Sequence, residues 1–243
     1  MRNIKLTIEF DGTNYHGWQI QREKNTIQQI LQDALTRVLD RPIILHGAGR
    51  TDAGVHALGQ TAHFITDAIL AADRLRLAVN SILPADIVVK HAEEVTQSFH
   101  VRYSAKSRTY WYLIWNTALR SAFYARYSWH IVQPLDIRAM REAAQYLIGT
   151  HDFSSFQGAD KENGHAVRSV HSVYFRETGE HLIIFSITAN AFVKHMVRNI
   201  MGTLVDVGKK RMSPDAFRSI LEKKDRTLAG ITAPAHGLFL KKI

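Results

Sequence analysis

Residues 47–56 have the sequence Gly47-Ala48-Gly49-Arg50-Thr51-Asp52-Ala53-Gly54-Val55-His56 and lie between two predicted strands, at 43–45 and ending near Thr66. A dinucleotide-binding fingerprint would need glycine at position 52 and a helix after it, but this chain has aspartate there and continues as loop and strand. A phosphate-binding loop would need lysine and then serine or threonine after Gly54, where Val55-His56 stand. Both nucleotide-binding motifs are therefore excluded.

Two interpretations of this loop remain open on its residues alone. In the first, the flanking glycines give the backbone unusual dihedral angles, so that Arg50 and Asp52 project into a cleft as catalytic groups. In the second, the loop is a tight surface turn with an exposed arginine–aspartate pair. Composition and spacing do not choose between them.

Upstream of the loop, the pattern predicts a strand followed by a helix. Apolar residues alternate with polar ones from Ile4 to Phe10, which is typical of a strand with one solvent-exposed face. Apolar residues then recur with helical spacing from Ile27 to Val38, and Thr26 with Gln29 predicts a capping box at the start of that helix. A further helix is expected from about Asp73 to Ile82.

Downstream, the chain again alternates strand and helix patterns. The aromatic run 108–115 predicts a strand buried on both faces, and a helix capped by Asp136 follows it. The remaining predicted elements are strands at about 167–175 and 182–188 around a turn at 177–180, a helix at about 192–207, and a helix opened by Ser213-Pro214 that runs through Leu221.

The two halves of the chain resemble each other weakly. In each, a strand that ends Ile-Thr, at 65–66 and at 187–188, precedes a helix with a Val-x-x-Ile step, at 79–82 and at 197–200. This hints at duplicated α+β units. Because no linker-like stretch separates the halves, we expect them to share a sheet.

Composition restricts the class of protein. The 243 residues include 31 Lys and Arg against 22 Asp and Glu, for a net charge of +9, and no cysteine. The lack of cysteine excludes a disulfide framework, a thiolate nucleophile, a zinc finger and an iron–sulfur cluster. No uncharged run reaches the roughly 18 residues of a membrane-spanning helix, and the N-terminus does not resemble a signal peptide. We therefore expect a cytoplasmic protein with a polyanionic partner.

The segment 49–56 resembles the signature of the tRNA pseudouridine synthase A family. Further pieces similar to that family follow the same order and span nearly the whole chain: 11–19 (DGTNYHGWQ), 108–110 (RTY), 151–156 (HDFSSF), 192–200 (FVKHMVRNI), 225–227 (DRT) and 237–240 (GLFL).

This resemblance implies an isomerase that converts uridine to pseudouridine in the anticodon stem-loop of tRNA, around tRNA positions 38 to 40. It implies a homodimer without metal or organic cofactor. No membrane association is expected either, because no uncharged run is long enough to span a membrane. The implied fold is α+β, with two pseudo-symmetric halves that share a mostly antiparallel sheet and an active-site cleft between them. We divide the halves as 1–105, which contains the aspartate loop, and 106–243.

Carried over residue by residue, the family's catalytic groups fall on Asp52, Arg50, Tyr110 and Arg198. A carboxylate at Asp52 can stabilise or trap the oxocarbenium character that forms at ribose when the glycosidic bond breaks. Whether it attacks the sugar, attacks C6 of uracil or assists elimination stays open.

The other three residues have a functional and a structural interpretation each. Arg50 either occupies the position of the extruded base or is a permanent partner of Asp52. Tyr110 either stacks on uracil and moves a proton or belongs to the core. Arg198 either orients Asp52 by an ion pair or lies on a solvated basic helix face.

Two other functions compete with isomerisation. A non-catalytic tRNA-binding module would use the basic charge alone, but it would be expected to have lost Asp52. A hydrolase that stops after breaking the glycosidic bond would need a second carboxylate to activate water, and no paired acidic motif stands near Asp52. The scattered histidines lack metal-ligand spacing, so no metal site is expected.

Overall fold

The computed structural model describes residues 1–158, 166–179 and 181–243. Within this part, the chain forms two compact units. The first unit comprises Met1–Lys106 together with Phe239–Ile243, and the second comprises Ser107–Leu238. Both units contain helices and mostly antiparallel strands, which confirms the predicted α+β class.

The first unit is built on a sheet with the strand order β4-β1-β3-β10, and the short β2 pairs with β3. Its pairs are antiparallel except for β3 and β10, which are parallel. The elements are β1 (Arg2–Phe10), α1 (Ile27–Leu39), β2 (His46–Gly47), β3 (His56–Thr66), α2 (Ala72–Asn80), β4 (Ile87–Val95) and α3 (Val101–Ser104), with β10 (Leu238–Lys242) returning from the C-terminus.

The alternating pattern of β1 forms the core of this unit, as predicted. Ile4, Leu6, Ile8 and Phe10 are all at most 3% exposed. Their partners on β3 are Phe64, Ala62, the buried Gln60 and Ala57. The apolar stripe of α1 is also buried, and α2 packs against α1 and β4.

The predicted capping box at α1 is wrong. Thr26 precedes the helix, but its side chain accepts no capping hydrogen bond, and Gln29 donates to Asp33 at 2.7 Å instead of reaching back. The first two helical N–H groups, of Ile27 and Gln28, donate to the carbonyls of Gly17 and Trp18 at 3.2 and 3.0 Å. Because the preceding segment satisfies these donors, the local cap is not used.

The second unit contains a sheet with the strand order β5-β9-β8-β7, and β6 pairs with β5 in parallel. The elements are β5 (Arg108–Asn116), β6 (Trp129–Ile131), α4 (Ile137–Gln145), β7 (Gly149–Asp152), β8 (Val167–Thr178), β9 (Leu182–Ala189), α5 (Met196–Gly208) and α6 (Pro214–Lys223). The predicted turn at 177–180 joins β8 to β9, although Glu180 lies outside the described residues.

Both predicted helix starts that rest on local capping are confirmed in this unit. The Asp136 carboxylate accepts from the Ala139 N–H at 3.0 Å, and the Ser213 hydroxyl accepts from the Ala216 N–H at 3.1 Å. Each side chain satisfies a helical donor that has no partner within the helix.

The two units repeat one connectivity. In each, a strand leads to a helix, the chain returns as an antiparallel hairpin whose second strand pairs with the first strand, and another helix follows. The hairpin is β2–β3 in the first unit and β8–β9 in the second. The Val-x-x-Ile steps are not equivalent, because Val79 is near the end of α2 and Val197 near the start of α5.

The C-terminal strand crosses the sequence-based division of the halves. That division assigns residues 106–243 to one half, whereas Phe239 and Leu240 pair with His56 and Ala57 of β3. A strand can pair with a partner far away in sequence, so its position along the chain does not decide its unit.

Candidate active site

The loop between β2 and β3, residues 48–55, is anchored at its base by β3. The Ala48 N–H donates to the Thr61 carbonyl at 2.9 Å, and the Gln60 side-chain amide donates to the Gly49 carbonyl at 3.0 Å. Ala48 and Gln60 are both buried. The β2–β3 loop therefore leaves the sheet from a rigid base.

A tight turn follows directly after Asp52. The Val55 N–H donates to the Asp52 carbonyl at 3.2 Å, and Gly54 has a φ of 75°. A positive φ at the third position of a turn favours glycine, because other residues are strained there. This turn connects Asp52 to the start of β3 at His56.

The segment 11–18 packs along the β2–β3 loop. The Trp18 N–H donates to the Thr51 carbonyl at 3.1 Å, and the Gly54 N–H donates to the Tyr15 carbonyl at 3.3 Å. The structure thus brings together two of the segments that carry the family resemblance, 11–19 and 49–56. Asp52 lies between the two hydrogen-bonded positions.

This contact leaves no room for side chains at two glycines. A Cβ on Gly12 would lie 2.0 Å from the Val55 carbonyl oxygen, and one on Gly17 would lie 2.3 Å from the Thr51 carbonyl oxygen. Gly17 also has a φ of 85°. Glycine at both positions allows the two backbones to approach each other directly.

His56 joins the two segments at the start of β3. It is 1% exposed, and its Nδ1 lies 3.1 Å from the Gly12 nitrogen and 3.0 Å from an Asp11 carboxylate oxygen. Deprotonated Nδ1 can accept from the Gly12 N–H, and protonated Nδ1 can donate to Asp11. The ring also stacks on Phe239 of β10, with the centroids 4.6 Å apart.

Tyr15 fixes the middle of the segment 11–18. Its buried hydroxyl donates to the Asp86 carboxylate at 2.5 Å. Burial and the hydrogen bond to Asp86 both raise the pKa of Tyr15, so the phenol stays protonated. The Asp11 N–H also donates to the Asp86 carbonyl, at 2.9 Å.

Two predicted site residues, Arg50 and Asp52, lie together on the β2–β3 loop. Arg50 is exposed and Asp52 is partly buried, and Thr51 between them is buried. Trp18, which lies in the segment 11–18, is 2% exposed and packs on Phe10 with ring centroids 6.2 Å apart. Trp18 is therefore part of the core beneath the loop.

The other two predicted site residues, Tyr110 and Arg198, belong to the second unit. Tyr110 lies on β5, opposite Ile187 of β9, and it is partly buried. The Tyr110 and Phe192 rings contact each other edge to face, with their centroids 5.0 Å apart. Tyr112 and Ile114 on the same face of β5 are buried, whereas three residues of the other face are only partly buried: Trp111, Leu113 and Trp115. The prediction of a strand buried on both faces is therefore confirmed for one face only.

Arg198 lies on α5, which begins later than predicted. His195 has a φ of 63°, so the helix starts at Met196 rather than near Phe192. The Lys194 carbonyl accepts from the Gly158 N–H at 2.9 Å and is thereby used outside the helix. A tertiary contact thus decides the helix start.

The Arg198 side chain is held by the segment that follows α6. Its Nε donates to the Ala233 carbonyl at 2.8 Å, while the Ala233 N–H donates to the Arg198 carbonyl at 3.1 Å. Next to this pair, the fully buried Tyr112 hydroxyl donates to the Pro234 carbonyl at 2.8 Å. Burial raises the pKa of Tyr112, and the nearby Arg198 opposes that effect.

A polar network on α5 was not anticipated from the sequence. Asn199 accepts from the Thr232 hydroxyl at 2.6 Å and from the Arg226 guanidinium at 3.2 Å, and it donates to the Phe156 carbonyl at 2.8 Å. Arg226 and Asn199 both occur in motifs that carry the family resemblance, which is the only signal that could have singled them out.

Neither a metal site nor a membrane span is found within the described ranges. No group of three or more His, Asp or Glu side chains there is arranged to hold a metal ion. None of the described helices is both long and apolar enough to cross a membrane.

Comparison with known proteins identifies the family of the chain. A family model described as tRNA pseudouridine synthase matches residues 6–104 and 143–243. A protein named tRNA pseudouridine synthase A from Thermoanaerobacter sp. (strain X514) is 48% identical over 243 residues, with 100% of this chain and 99% of that protein covered. One of the same name from Ruminiclostridium cellulolyticum is 44% identical over 245 residues, with the same coverage. The chain belongs to the tRNA pseudouridine synthase family.

Proposed function

We propose that this chain converts uridine to pseudouridine in the anticodon stem-loop of tRNA, around tRNA positions 38 to 40, with Asp52 as the catalytic carboxylate. The observation that carries the proposal is the β2–β3 loop, whose main chain is held by the segment 11–18 on both sides of Asp52. The family resemblance extends the proposal to a cytoplasmic homodimer that acts without metal or organic cofactor.

The proposed reaction needs a carboxylate and no redox or phosphoryl chemistry. The bond between ribose C1′ and uracil N1 breaks, the base turns, and C1′ bonds to C5. The proton on C5 is released and N1 gains one, so the product is an isomer of the substrate. A partly buried Asp52 carboxylate is suited to stabilising positive charge at C1′ or to forming a covalent intermediate.

The family resemblance supplies the roles proposed for the other three residues. Arg50 is exposed on the same loop as Asp52, so its planar guanidinium can occupy the position that the extruded uridine leaves. Tyr110 offers a ring whose orientation Phe192 restrains, suited to stacking on uracil. The resemblance assigns Arg198, whose Nε donates to the Ala233 carbonyl, to orienting Asp52.

The proposal is tested with tRNA tritiated at uracil C5, because release of the C5 hydrogen is specific to isomerisation. The native chain should release tritium, and Asp52→Asn should lose several orders of magnitude in rate while retaining tRNA affinity, which comes mainly from phosphate contacts. Asp40→Asn is the matched control, since Asp40 is exposed and its left-handed backbone tolerates asparagine.

The rival functions give other results in the same assay. Tight tRNA binding with no tritium release by the native chain would indicate a non-catalytic binding module. Release of free uracil would indicate a hydrolase. Unchanged turnover in Asp52→Asn would remove Asp52 from the chemistry.

The base-replacement role of Arg50 is tested by comparing two stem-loops. Arg50→Ala should slow turnover on a substrate with a paired target uridine and spare much of it where the target is unpaired, because the cost of extrusion is then largely absent. Arg50→Lys should restore only part of the loss, since an ammonium group lacks the planar fork. Equal losses on both substrates would show that Arg50 serves Asp52 directly.

A further inference from the structure

A row of polar residues crosses the sheet of the first unit. Strand register places His46 of β2 opposite His63 of β3, His63 opposite Lys5 of β1, and Lys5 opposite Glu93 of β4. Successive strand residues point to opposite faces, so this row lies on the face away from the buried Ile4 and Leu6.

The chain after β4 folds over this row. The His100 ring lies edge-on to His63 with centroids 4.8 Å apart. The His46 ring stacks on His63 at 5.1 Å and lies 5.8 Å from the His100 ring. Phe99 meets His63 edge to face at 5.9 Å. These contacts form one continuous aromatic cluster, consisting of His46, His63, Phe99 and His100.

The centre of this cluster is uncharged near neutral pH. His63 is 3% exposed, and its Nδ1 has no hydrogen-bond partner within the described part of the chain. Burial, together with the neighbouring His46 and His100, lowers the pKa of His63 to about 4. A neutral imidazole lets other rings stack on it without charge repulsion.

An exposed tyrosine extends the cluster into solvent. Tyr103 is 81% exposed, and its ring lies 4.6 Å from that of His100. Arg102 and Lys106 flank it, both are exposed, and neither forms an ion pair with any described residue. By contrast, the nearby Arg2 and Lys5 are paired with Glu94 and Glu93.

We propose that the Tyr103 surface, formed by Arg102, Tyr103 and Lys106, binds an unpaired nucleotide of the substrate RNA. A base can stack on the outward face of Tyr103, which the cluster supports from below, while the two cations contact the adjacent phosphates. The proposal rests on the proposed function for the identity of the RNA.

This contact is separated along β3 from the proposed catalytic Asp52, which the turn 52–55 joins to the His56 end of the strand. His63 follows His56 by seven positions along β3, which corresponds to about 23 Å of strand, and the β2–β3 loop joins β3 at its His56 end. A contact at that distance stabilises the bound substrate and the transition state equally. Its loss should therefore raise KM and leave kcat unchanged.

The test measures tRNA affinity and tritium-release kinetics for the full chain. Tyr103→Ala should weaken tRNA binding by about 5- to 150-fold, the range found for removing one base-stacking side chain. Tyr103→Phe should restore binding, because the ring and not the hydroxyl carries the stacking. Tyr174→Ala is the matched control, since Tyr174 is a half-exposed tyrosine on β8.

The flanking cations give an independent readout. Replacing both Arg102 and Lys106 by alanine should lower the slope of log Kd against log salt by about 1 to 2, because each contacted phosphate releases counterions. Tyr103→Ala should leave that slope unchanged.

Several outcomes would overturn the proposal. Equal tRNA affinity of Tyr103→Ala and the native chain, with the native chain active, would refute this surface and leave the proposed function intact. A drop in kcat with unchanged KM would also refute it. A change in oligomeric mass with unchanged RNA affinity would show that a second copy of the chain covers Tyr103. An inactive native chain would instead count against the proposed function.

Discussion

Adding a single methyl group where residues 11–18 meet the β2–β3 loop should displace Asp52 without unfolding the protein. At Gly12, a Cβ would stand 2.0 Å from the Val55 carbonyl oxygen, whereas ordinary contact begins near 3.4 Å. The obstacle is a backbone atom and not the end of a flexible side chain. One of the two backbones must therefore move by about 1.4 Å to restore ordinary contact. A displacement of about 1 Å can already cost 10²-fold in rate when it misplaces a catalytic group.

Gly17 combines this overlap with backbone strain. Its Cβ would lie 2.3 Å from the Thr51 carbonyl oxygen, and its φ of 85° costs alanine roughly 1–2 kcal/mol in addition. Gly179 separates the two effects, because its φ is 61° and a Cβ there would meet nothing within 4 Å. Gly12→Ala introduces only the steric overlap, and Gly179→Ala introduces only the backbone strain.

Each alanine variant is assayed by urea unfolding and by tritium release at saturating tRNA. We expect Gly179→Ala to lose about 1–2 kcal/mol of unfolding free energy and no activity. Gly12→Ala should lose about 10²-fold in kcat, and Gly17→Ala should show both losses.

The reasoning would be refuted if Gly12→Ala remained folded with native kcat. The segment 11–18 would then not position Asp52. An equal loss of kcat in Gly179→Ala would show that the rate responds to general destabilisation and not to the loop contact.

Two further predictions concern stability. Folding lowers the pKa of His63 from 6.5 to about 4, so between these pH values the unfolded chain binds a proton more readily than the folded chain. The free energy of unfolding should therefore fall as the pH drops from 6.5 towards 4, by at most about 3 kcal/mol. Urea unfolding across this range should show a weaker pH dependence in His63→Gln and an unchanged one in His171→Gln, which alters an exposed histidine. Tyr112→Phe should cost about 1–2 kcal/mol, because it leaves the Pro234 carbonyl without its buried donor. Tyr146→Phe, which removes a solvent-exposed hydrogen bond, should cost less than about 0.5 kcal/mol by the same measurement, and equal costs would contradict the argument.

Features that depend on neighbouring residues could be predicted. The starts of α4 and α6 depend on Asp136 and Ser213, whose side chains bond to an N–H three residues ahead. Likewise, the alternation from Ile4 to Phe10 follows from strand geometry and correctly gives the buried face of β1. In these places the physical cause lies within one turn or one strand.

Helix starts that depend on distant partners were mispredicted. At α1, the carbonyls of Gly17 and Trp18 replace the expected Thr26 cap. At α5, a hydrogen bond from Gly158 and a left-handed His195 delay the helix by four residues. A local pattern does not contain these partners.

The sequence by itself determined the α+β class, the family, and the loop that carries Arg50 and Asp52, because each is encoded in residue types at short spacing. Only the tertiary structure decided what holds that loop. It showed that residues 11–18 bind the β2–β3 loop through the backbone, and that the C-terminal strand pairs with β3 of the first unit. Main-chain hydrogen bonds between distant segments use groups that every residue possesses, so no residue type marks them in advance.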